Sequence, residues 1–157
     1  MSRERVTHAF TQFSPGVRHT PAVTQSSPID APPPQPAVNV LVVDDDVKLA
    51  SVIVRFLERV GYRCTTARTG DEALWAVNRS TPDAIVMDVM IPHPSGIEVC
   101  RHMRAEGYLG PIVVISARST PSDRAAAARA GASNFLSKPF PLADLAASLA
   151  SMIGRRD

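Results

Sequence analysis

The chain has 157 residues, of which seventeen are basic and fifteen acidic, so its net charge is +2 and its length suits one domain with a core. No cluster of Lys and Arg marks a nucleic-acid surface, so we expect no direct DNA binding. No apolar segment has the length of a membrane span or the form of a signal peptide, so we expect no membrane partner. The two cysteines lack ligand-like spacing, which favours reduced thiols in a cytoplasmic protein.

Residues 1–37 differ in composition from the rest of the chain. This segment holds seven of the fourteen prolines, with scattered Ser, Thr and Gln, and shows no apolar periodicity. Such a composition buries too little apolar surface to offset the entropy that is lost on ordering. We therefore predict a disordered, proline-rich N-terminal extension over 1–37, followed by a globular domain over 38–157.

Five predicted strands alternate with five predicted helices from residue 38 onward. The strands are apolar or β-branched segments at 38–43, 62–67, 83–88, 111–116 and 133–138. Asp46 is the predicted N-cap of the first helix, and the second and third helices begin with capping-box patterns at Thr69–Glu72 and Ser95–Glu98. The fourth helix begins at Thr120–Pro121 and the fifth at Pro141. This alternation predicts an α/β fold, with a parallel sheet that is covered by helices on both faces.

Polar residues stand at the carboxyl ends of four predicted strands. They are Asp44, Asp45, Asp88, Ser116 and Lys138. Because ligands bind at the carboxyl ends of the strands in such sheets, we expect these side chains to converge. Grouped carboxylates suit Mg²⁺, which would let an anionic phosphoryl donor approach while one carboxylate acts as the nucleophile. The ammonium and hydroxyl groups would receive the phosphoryl oxygens.

Four motifs in this order resemble the receiver domain of response regulators, the phospho-acceptor part of two-component signalling systems. They are VLVVDD, MDVMIPHPSG, ISA and FLSKPF. The resemblance covers nearly all of the chain from residue 38, and it implies a flavodoxin-like, doubly wound sheet of five strands in the order 2-1-3-4-5 with five helices. It also implies a phosphorylation-dependent signalling switch that promotes only its own phosphorylation and dephosphorylation, so we do not expect an enzyme in any other sense.

The resemblance assigns roles around the phosphoryl group. It makes Asp88 the phospho-acceptor, Ser116 the switch hydroxyl, and Lys138 the residue that contacts the phosphoryl group. Phe135 is the aromatic side chain that reorients on phosphorylation. The resemblance further implies a cis peptide bond between Lys138 and Pro139, although most bonds that precede proline are trans.

The resemblance also implies Mg²⁺ as the cofactor. Asp45, Asp88 and the backbone carbonyl of Met90 would ligate the ion directly, and Asp44 would act mostly through water. The next acidic residue, Asp46, lies just beyond this set and is better interpreted as a helix cap. The expected metal site therefore takes its ligands from the ends of the first and third strands.

The expected partners follow from the same resemblance. A sensor histidine kinase or a histidine phosphotransfer protein would be the donor, and an unknown downstream protein would contact the face formed by the fourth helix, fifth strand and fifth helix. Many DNA-binding members of the family have acidic residues where this chain has Ser133 and Asn134, so we expect a monomer or a weak dimer. Because the chain ends shortly after the predicted fifth helix, we expect a stand-alone receiver.

Three alternatives use parts of the same pattern. A haloacid-dehalogenase-like phosphatase needs a second Asp two residues after the nucleophile, where this chain has Met90. A flavodoxin needs a phosphate-binding loop after the first strand, where three carboxylates would instead repel phosphate. The third alternative is a receiver-like protein-interaction module that acts independently of phosphorylation, and the complete set of acceptor-site residues argues against it.

Three other conspicuous residues have structural interpretations. His93 is predicted to be exposed in the loop after Asp88, and Trp75 to be a partly exposed packing residue on the second helix. Cys100 falls on the apolar stripe of the third helix and is predicted to belong to the core.

Overall fold

The structure, a computed structural model, describes residues 37–154. The predicted N-terminal extension lies outside the described residues, except for Ala37. The five strands are β1 (Asn39–Val43), β2 (Arg63–Ala67), β3 (Ala84–Asp88), β4 (Ile112–Ser116) and β5 (Asn134–Ser137). The five helices are α1 (Val47–Arg59), α2 (Gly70–Arg79), α3 (Gly96–Ala105), α4 (Pro121–Ala130) and α5 (Leu142–Ile153). In the described part of the chain, no helix is long and apolar enough to cross a membrane.

All strands run parallel, and they form one sheet in the order β2-β1-β3-β4-β5. The predicted fold class and strand order are therefore confirmed. β3 lies at the centre, with Leu41 of β1 opposite Ile85 on one side and Val114 of β4 opposite Met87 on the other. Every residue of β3 and β4 is buried, as expected for central strands covered on both faces. The first and third strands therefore end side by side.

Alternate residues of each strand point into two separate cores. Leu41 and Val43 of β1 face the core beneath α2, α3 and α4, whereas Val40 and Val42 face the core beneath α1 and α5. Buried side chains from α1 and α5 fill the second core, namely Ile53, Leu57, Leu145 and Leu149. Hence the sheet is held between two helical layers, which fixes the positions of its strand ends.

Cys100 is fully buried in the core beneath α3, as predicted, and its Sγ lies 3.4 Å from the carbonyl oxygen of Ala130 on α4. Burial raises the pKa of this thiol. Trp75, predicted to be a partly exposed packing residue, is 60% exposed, and the guanidinium carbon of Arg79 lies 5.1 Å from the centroid of its ring. The predicted structural interpretations of both residues are thus confirmed.

Neither of the two predicted capping boxes is reciprocal in the described residues: Ser95 caps α3 through the Glu98 amide, but the Glu98 carboxylate does not accept from the Ser95 amide. The Asp46 carboxylate accepts hydrogen bonds from the amides of Lys48 and Leu49, so the predicted cap of α1 is confirmed. Thr69 caps α2 through the Glu72 amide, but the Glu72 carboxylate accepts from the amide of residue 68, one residue earlier than a capping box requires. The reciprocal capping box forms instead at α4, between Thr120 and Asp123.

A single arginine links several segments at the amino end of β4 and β5. Arg104 near the end of α3 donates from Nε to the carbonyl of Gly131 at 3.0 Å, and from Nη1 to the carbonyls of Tyr108 (2.7 Å) and Gly110 (2.8 Å). Its Nη2 lies 3.3 Å from Ser133 Oγ, which also accepts from the Ile112 amide at 3.0 Å. Arg104 therefore joins α3 to the loops that lead into β4 and β5.

Candidate functional site: an acidic cluster at the carboxyl edge of the sheet

Three carboxylates meet where β1 and β3 end. Asp44 and Asp45 directly follow β1, Asp88 is the last residue of β3, and one carboxylate oxygen from each lies within 4.8 Å of the others. Asp44 and Asp88 are buried, whereas Asp45 is exposed. The arrangement arises because β1 and β3 are parallel neighbours in the sheet. The site is therefore a shallow acidic cluster with one side open to solvent.

Lys138 lies against two of these carboxylates. Its Nζ is 3.0 Å from Asp88 Oδ2 and 3.2 Å from Asp44 Oδ2. The lysine follows β5 directly, and its backbone amide donates to the carbonyl of Ser116 at 2.9 Å, which ties it to the end of β4. The Lys138–Pro139 bond is cis, as the resemblance implies. One ammonium group is thus shared between the carboxylates of two strands.

Backbone amides hold the other oxygens of the same carboxylates. Asp44 Oδ1 accepts from the Asp46 amide at 2.9 Å, and Asp88 Oδ1 accepts from the Met90 amide at 3.0 Å. Both are local contacts between residues two apart, so the sequence itself fixes the rotation of each carboxylate. This arrangement directs Oδ2 of both residues toward Lys138.

Ser116 ends β4 and is buried beside the cluster. Its Oγ accepts a hydrogen bond from the Arg118 amide at 3.0 Å. Within residues 37–154 it makes no hydrogen bond to any of the three carboxylates. β4 therefore places the Ser116 hydroxyl at the same edge of the sheet as the carboxylates, where its oxygen accepts a hydrogen bond from a loop amide.

The ionised form of the Asp44 carboxylate is destabilised by its surroundings. Burial, together with the nearby charge of Asp88, raises the pKa of Asp44 to about 6 against the opposing effects of the Asp46 amide and Lys138. Burial disfavours the charged form of Lys138, but hydrogen bonds and charges from Asp88 and Asp44 outweigh it and raise the lysine pKa. Lys138 is thus cationic at neutral pH, and one ammonium offsets only part of the negative charge.

The donor set fits a hard divalent cation. Three carboxylates whose oxygens lie within 4.8 Å of one another supply oxygen ligands, and the exposed Asp45 leaves room for coordinated water, as Mg²⁺ requires. The Met90 amide donates to Asp88 Oδ1, so the backbone of Met90 lies beside the cluster. The cluster therefore has the chemistry of a Mg²⁺ site.

A close approach of α3 to the site was not predicted from the sequence. The Gly96 amide donates to the carbonyl of Val89 at 3.0 Å, and a Cβ added at Gly96 would collide with the carbonyl oxygen of Asp88. Only glycine therefore fits at the start of α3 without moving the acidic strand end. The glycine that follows Ser95 was visible in the sequence, but its reason is a tertiary contact.

Phe135 on β5 packs partly buried between the core and α4. The guanidinium carbon of Arg124 lies 4.7 Å from the centroid of its ring, and Arg124 Nη2 donates to Ser137 Oγ at 2.8 Å. Phe135 is part of the FLSKPF motif, but no local sequence pattern indicates that an arginine stacks on its ring. His93 is exposed, as predicted, and its Nδ1 lies 3.7 Å from Glu98 Oε2.

An apolar groove borders the acidic cluster on the α1 side. Leu49 and Val52 of α1 line it together with Phe140 and Leu142, and Lys138 also belongs to the lining. Val52 is 47% exposed, so the groove is an accessible surface in the described domain. It lies next to the carboxylates, because Lys138 contacts both.

The chain is similar to response regulators from mycobacteria and to solved receiver domains. The chain is 42% identical over 118 residues to the response regulator MprA of Mycobacterium sp. (strain KMS), which covers 75% of this chain and 51% of that protein. The same regulator from Mycobacterium leprae (strain TN) is 42% identical over 118 residues, covering 75% and 52%. The chain thus spans about half the length of these curated relatives.

Solved structures and a family model agree with this similarity. The receiver domain of the Francisella response regulator 1452 superposes with a TM-score of 0.74 at 31% identity, covering 76% of this chain and 99% of that one. The BeF3-activated receiver domain of Klebsiella pneumoniae RstA gives a TM-score of 0.71 at 27% identity, covering 76% and 99%. The family model for the response regulator receiver domain matches residues 40–150. The chain belongs to the response regulator receiver domain family.

Proposed function

We propose that this domain is a phosphorylation-dependent signalling switch in which Asp88 accepts a phosphoryl group in the presence of Mg²⁺. The observation that carries the proposal is the acidic cluster itself, in which three carboxylates converge and Lys138 contacts the carboxylates of Asp44 and Asp88. A structural ion pair alone does not need three carboxylates at one edge, because like charges at this distance oppose folding. Membership of the receiver family supports the same conclusion.

The residues of the cluster would have two roles in phosphoryl transfer, which are binding of the metal ion and nucleophilic attack. Asp44, Asp45, Asp88 and the backbone carbonyl of Met90 would hold the ion. When bound, Mg²⁺ supplies positive charge that offsets repulsion between the carboxylates and an anionic donor. An Asp88 oxygen forms a bond to phosphorus while the bond between phosphorus and the donor atom breaks, and the electron pair leaves with the donor.

Lys138 and Ser116 would then receive the new charge. The Lys138 ammonium, now 3.0 Å from Asp88 Oδ2, is close enough to contact a phosphoryl oxygen on that carboxylate. Ser116 would exchange its contact with the Arg118 amide for one with the phosphoryl group, and Phe135 would turn inward toward the space that this movement opens. The face formed by α4, β5 and α5 would change shape as a result.

The partners we propose are proteins at either end of a phosphoryl-transfer step. The donor is a sensor histidine kinase or a histidine phosphotransfer protein, and the groove of Leu49, Val52, Phe140 and Leu142 offers it an apolar surface beside the acceptor. The target is a downstream protein that reads the face of α4, β5 and α5, with the domain acting as a monomer or weak dimer. The domain binds no DNA directly in this proposal, and it turns over no substrate other than its own aspartyl phosphate.

Labelling with a small phosphoryl donor tests the proposal. Acetyl phosphate should add one phosphoryl group to the wild-type chain when Mg²⁺ is present and none when EDTA is added, as intact mass spectrometry would show. Asp88→Asn should abolish labelling, because the nucleophile is lost. Asp71→Asn, which removes an exposed carboxylate from α2, should be labelled like the wild type. If the wild type stays unlabelled with donor and Mg²⁺ in excess, the interaction module that acts independently of phosphorylation replaces this proposal.

A further inference from the structure

Arg124 makes two contacts with the same face of β5. Its guanidinium lies over the Phe135 ring, 4.7 Å from the centroid, and Nη2 donates to Ser137 Oγ at 2.8 Å. Phe135 and Ser137 are two residues apart on a strand, so their side chains stand on the same side of the sheet. The hydrogen bond therefore fixes the guanidinium in the position from which it covers the ring.

Phe135 borders two separate cavities. A cavity of about 100 Å³ lies between Phe135 and Ser116, with Ile97 and Ala126 among its lining residues. Phe135 also lines a second cavity, of about 130 Å³, together with Arg124 and Ala128. The cavities exist because α4 faces the sheet with alanines, whose methyl groups leave the space around a large ring unfilled. Packing against α4 alone therefore does not fix the ring.

The contact with Arg124 is thus the directional interaction that selects one ring position. A guanidinium over an aromatic face is attracted to the negative charge of the ring, and the attraction is lost when the ring turns away. Movement of Phe135 into the cavity beside Ser116 would separate the ring from Arg124, which stays bonded to Ser137. In the structure the ring lies at the wall of that cavity, which we call its outward position, and a ring inside the cavity would be inward. Arg124 therefore stabilises the outward position of the ring relative to the inward one.

We propose that Arg124 is a latch that holds Phe135 outward and thereby opposes activation of the domain. This inference rests on the proposed function, since it assumes that phosphorylation favours the inward ring. A contact of this kind changes a two-state equilibrium about two- to five-fold. By linkage, its loss strengthens binding of any phosphoryl group or analogue by the same factor when the inward state is the minor one.

The experiment compares four full-length variants with the wild type. Arg124→Ala removes both contacts, Ser137→Ala removes the hydrogen bond alone, and Arg124→Lys keeps the charge but loses the planar group. Arg129→Ala is the matched control, because Arg129 is also an exposed arginine of α4 and makes no described contact with Phe135. The first readout is the ring signals of Phe135 in NMR spectra of ¹³C-phenylalanine protein without phosphoryl donor, assigned with Phe135→Leu. The second is the apparent affinity for beryllofluoride with Mg²⁺.

We expect the Phe135 signals to shift in Arg124→Ala and the affinity for beryllofluoride to rise about two- to five-fold. Smaller changes should appear in Ser137→Ala and Arg124→Lys, and none in Arg129→Ala. Unchanged ring signals in Arg124→Ala overturn the latch, and so does a ring that responds without any gain in affinity. If neither the wild type nor any variant binds beryllofluoride, the proposed function fails and the latch fails with it. A shift of the Phe135 signals in Arg124→Ala would distinguish this outcome from the one in which the ring signals are unchanged.

Discussion

The two ends of the same sheet are stabilised in opposite ways. At the carboxyl end, three carboxylates meet and Lys138 is the cation that contacts two of them. At the amino end of β4 and β5, the guanidinium of Arg104 meets three backbone carbonyls and one hydroxyl, which are neutral acceptors with the correct geometry. At the carboxyl end, the negative charge of the carboxylates therefore exceeds the positive charge of Lys138. At the amino end, each nitrogen of the Arg104 guanidinium donates to an acceptor.

This difference separates stability from function within one small domain. The amino end gains from hydrogen bonds that are complete in the folded chain, so substitutions there should lower stability and leave phosphorylation of the folded protein unchanged. The carboxyl end keeps a raised pKa at Asp44, which means that the ionised site opposes folding. Substitutions there should remove activity while costing little stability, or even increase it.

Arg104→Ala should have the largest effect on stability. It removes four hydrogen bonds and leaves the carbonyls of Gly131, Tyr108 and Gly110 without this donor, so the free energy of unfolding should fall by about 2–4 kcal/mol. Urea unfolding followed by circular dichroism measures the change. Arg101→Ala, at an exposed position on the same helix, is the control and should change stability by less than about 0.5 kcal/mol.

The labelling rate of the same variants completes this test. Folded Arg104→Ala should accept a phosphoryl group from acetyl phosphate at the wild-type rate, because no residue of the acidic cluster contacts Arg104. A large loss of labelling under conditions where the variant is folded would show that the two ends are coupled.

Asp44→Asn should change how stability depends on pH in metal-free buffer. Because the pKa of Asp44 is about 6 in the folded chain and near 3.8 in the unfolded one, the folded state binds the proton more tightly. Wild-type stability therefore falls as pH rises through this window, whereas the variant has no proton to lose at this position. From pH 4.5 to pH 7, the stability of Asp44→Asn relative to wild type should rise by about 1–3 kcal/mol.

Urea titrations at the two pH values with EDTA present measure this difference. Asp71→Asn, which removes an exposed carboxylate outside the cluster, should show a smaller change between the two pH values. A relative stability of Asp44→Asn that stays constant with pH would mean that the buried carboxylate carries no electrostatic cost.

Ser133→Ala should have the smallest effect of the three. The substitution removes the acceptor of the Ile112 amide at 3.0 Å and the longest contact of Arg104, at 3.3 Å, so it should cost about 1 kcal/mol. Equilibrium unfolding of the single variants and of the double variant with Arg104→Ala gives the coupling energy directly. Ser122→Ala, at an exposed position on α4, is the control. A loss at Ser133 larger than that at Arg104 would contradict the ranking.

The features that could be predicted from the sequence are those set by periodicity and by strand ends. Val40–Val43 is apolar at every position, which indicates a strand buried on both faces, and the residue that follows it must then lie at the edge of the sheet. The same reasoning located Asp88 and Ser116, although their roles in phosphoryl transfer came from the resemblance. Local hydrogen-bonding patterns were less reliable, since Glu72 bonds one residue earlier than the capping-box pattern predicts.

The features that could not be predicted depend on contacts between distant segments. Arg104 resembles any other arginine near the end of an amphipathic helix until Gly131 and Ser133 are brought beside it, 27 and 29 residues later. The stacking of Arg124 on Phe135 depends on how α4 crosses β5, which no local pattern determines. Gly96 is required by the backbone of Asp88, eight positions earlier in the chain.

The hydrogen bond from Arg104 to the carbonyl of Gly131 also limits how α4 can move. Gly131 ends this helix with a left-handed backbone (φ 105°), and its carbonyl is held from α3, so the carboxyl end of α4 is a fixed pivot. The ten residues of α4 form a lever roughly 15 Å long whose free end lies toward Ser116 and Arg118. A tilt of α4 by about 4° at the pivot would displace its amino end by roughly 1 Å. Small movements at the acidic edge can therefore change the position of the whole exposed surface of the helix.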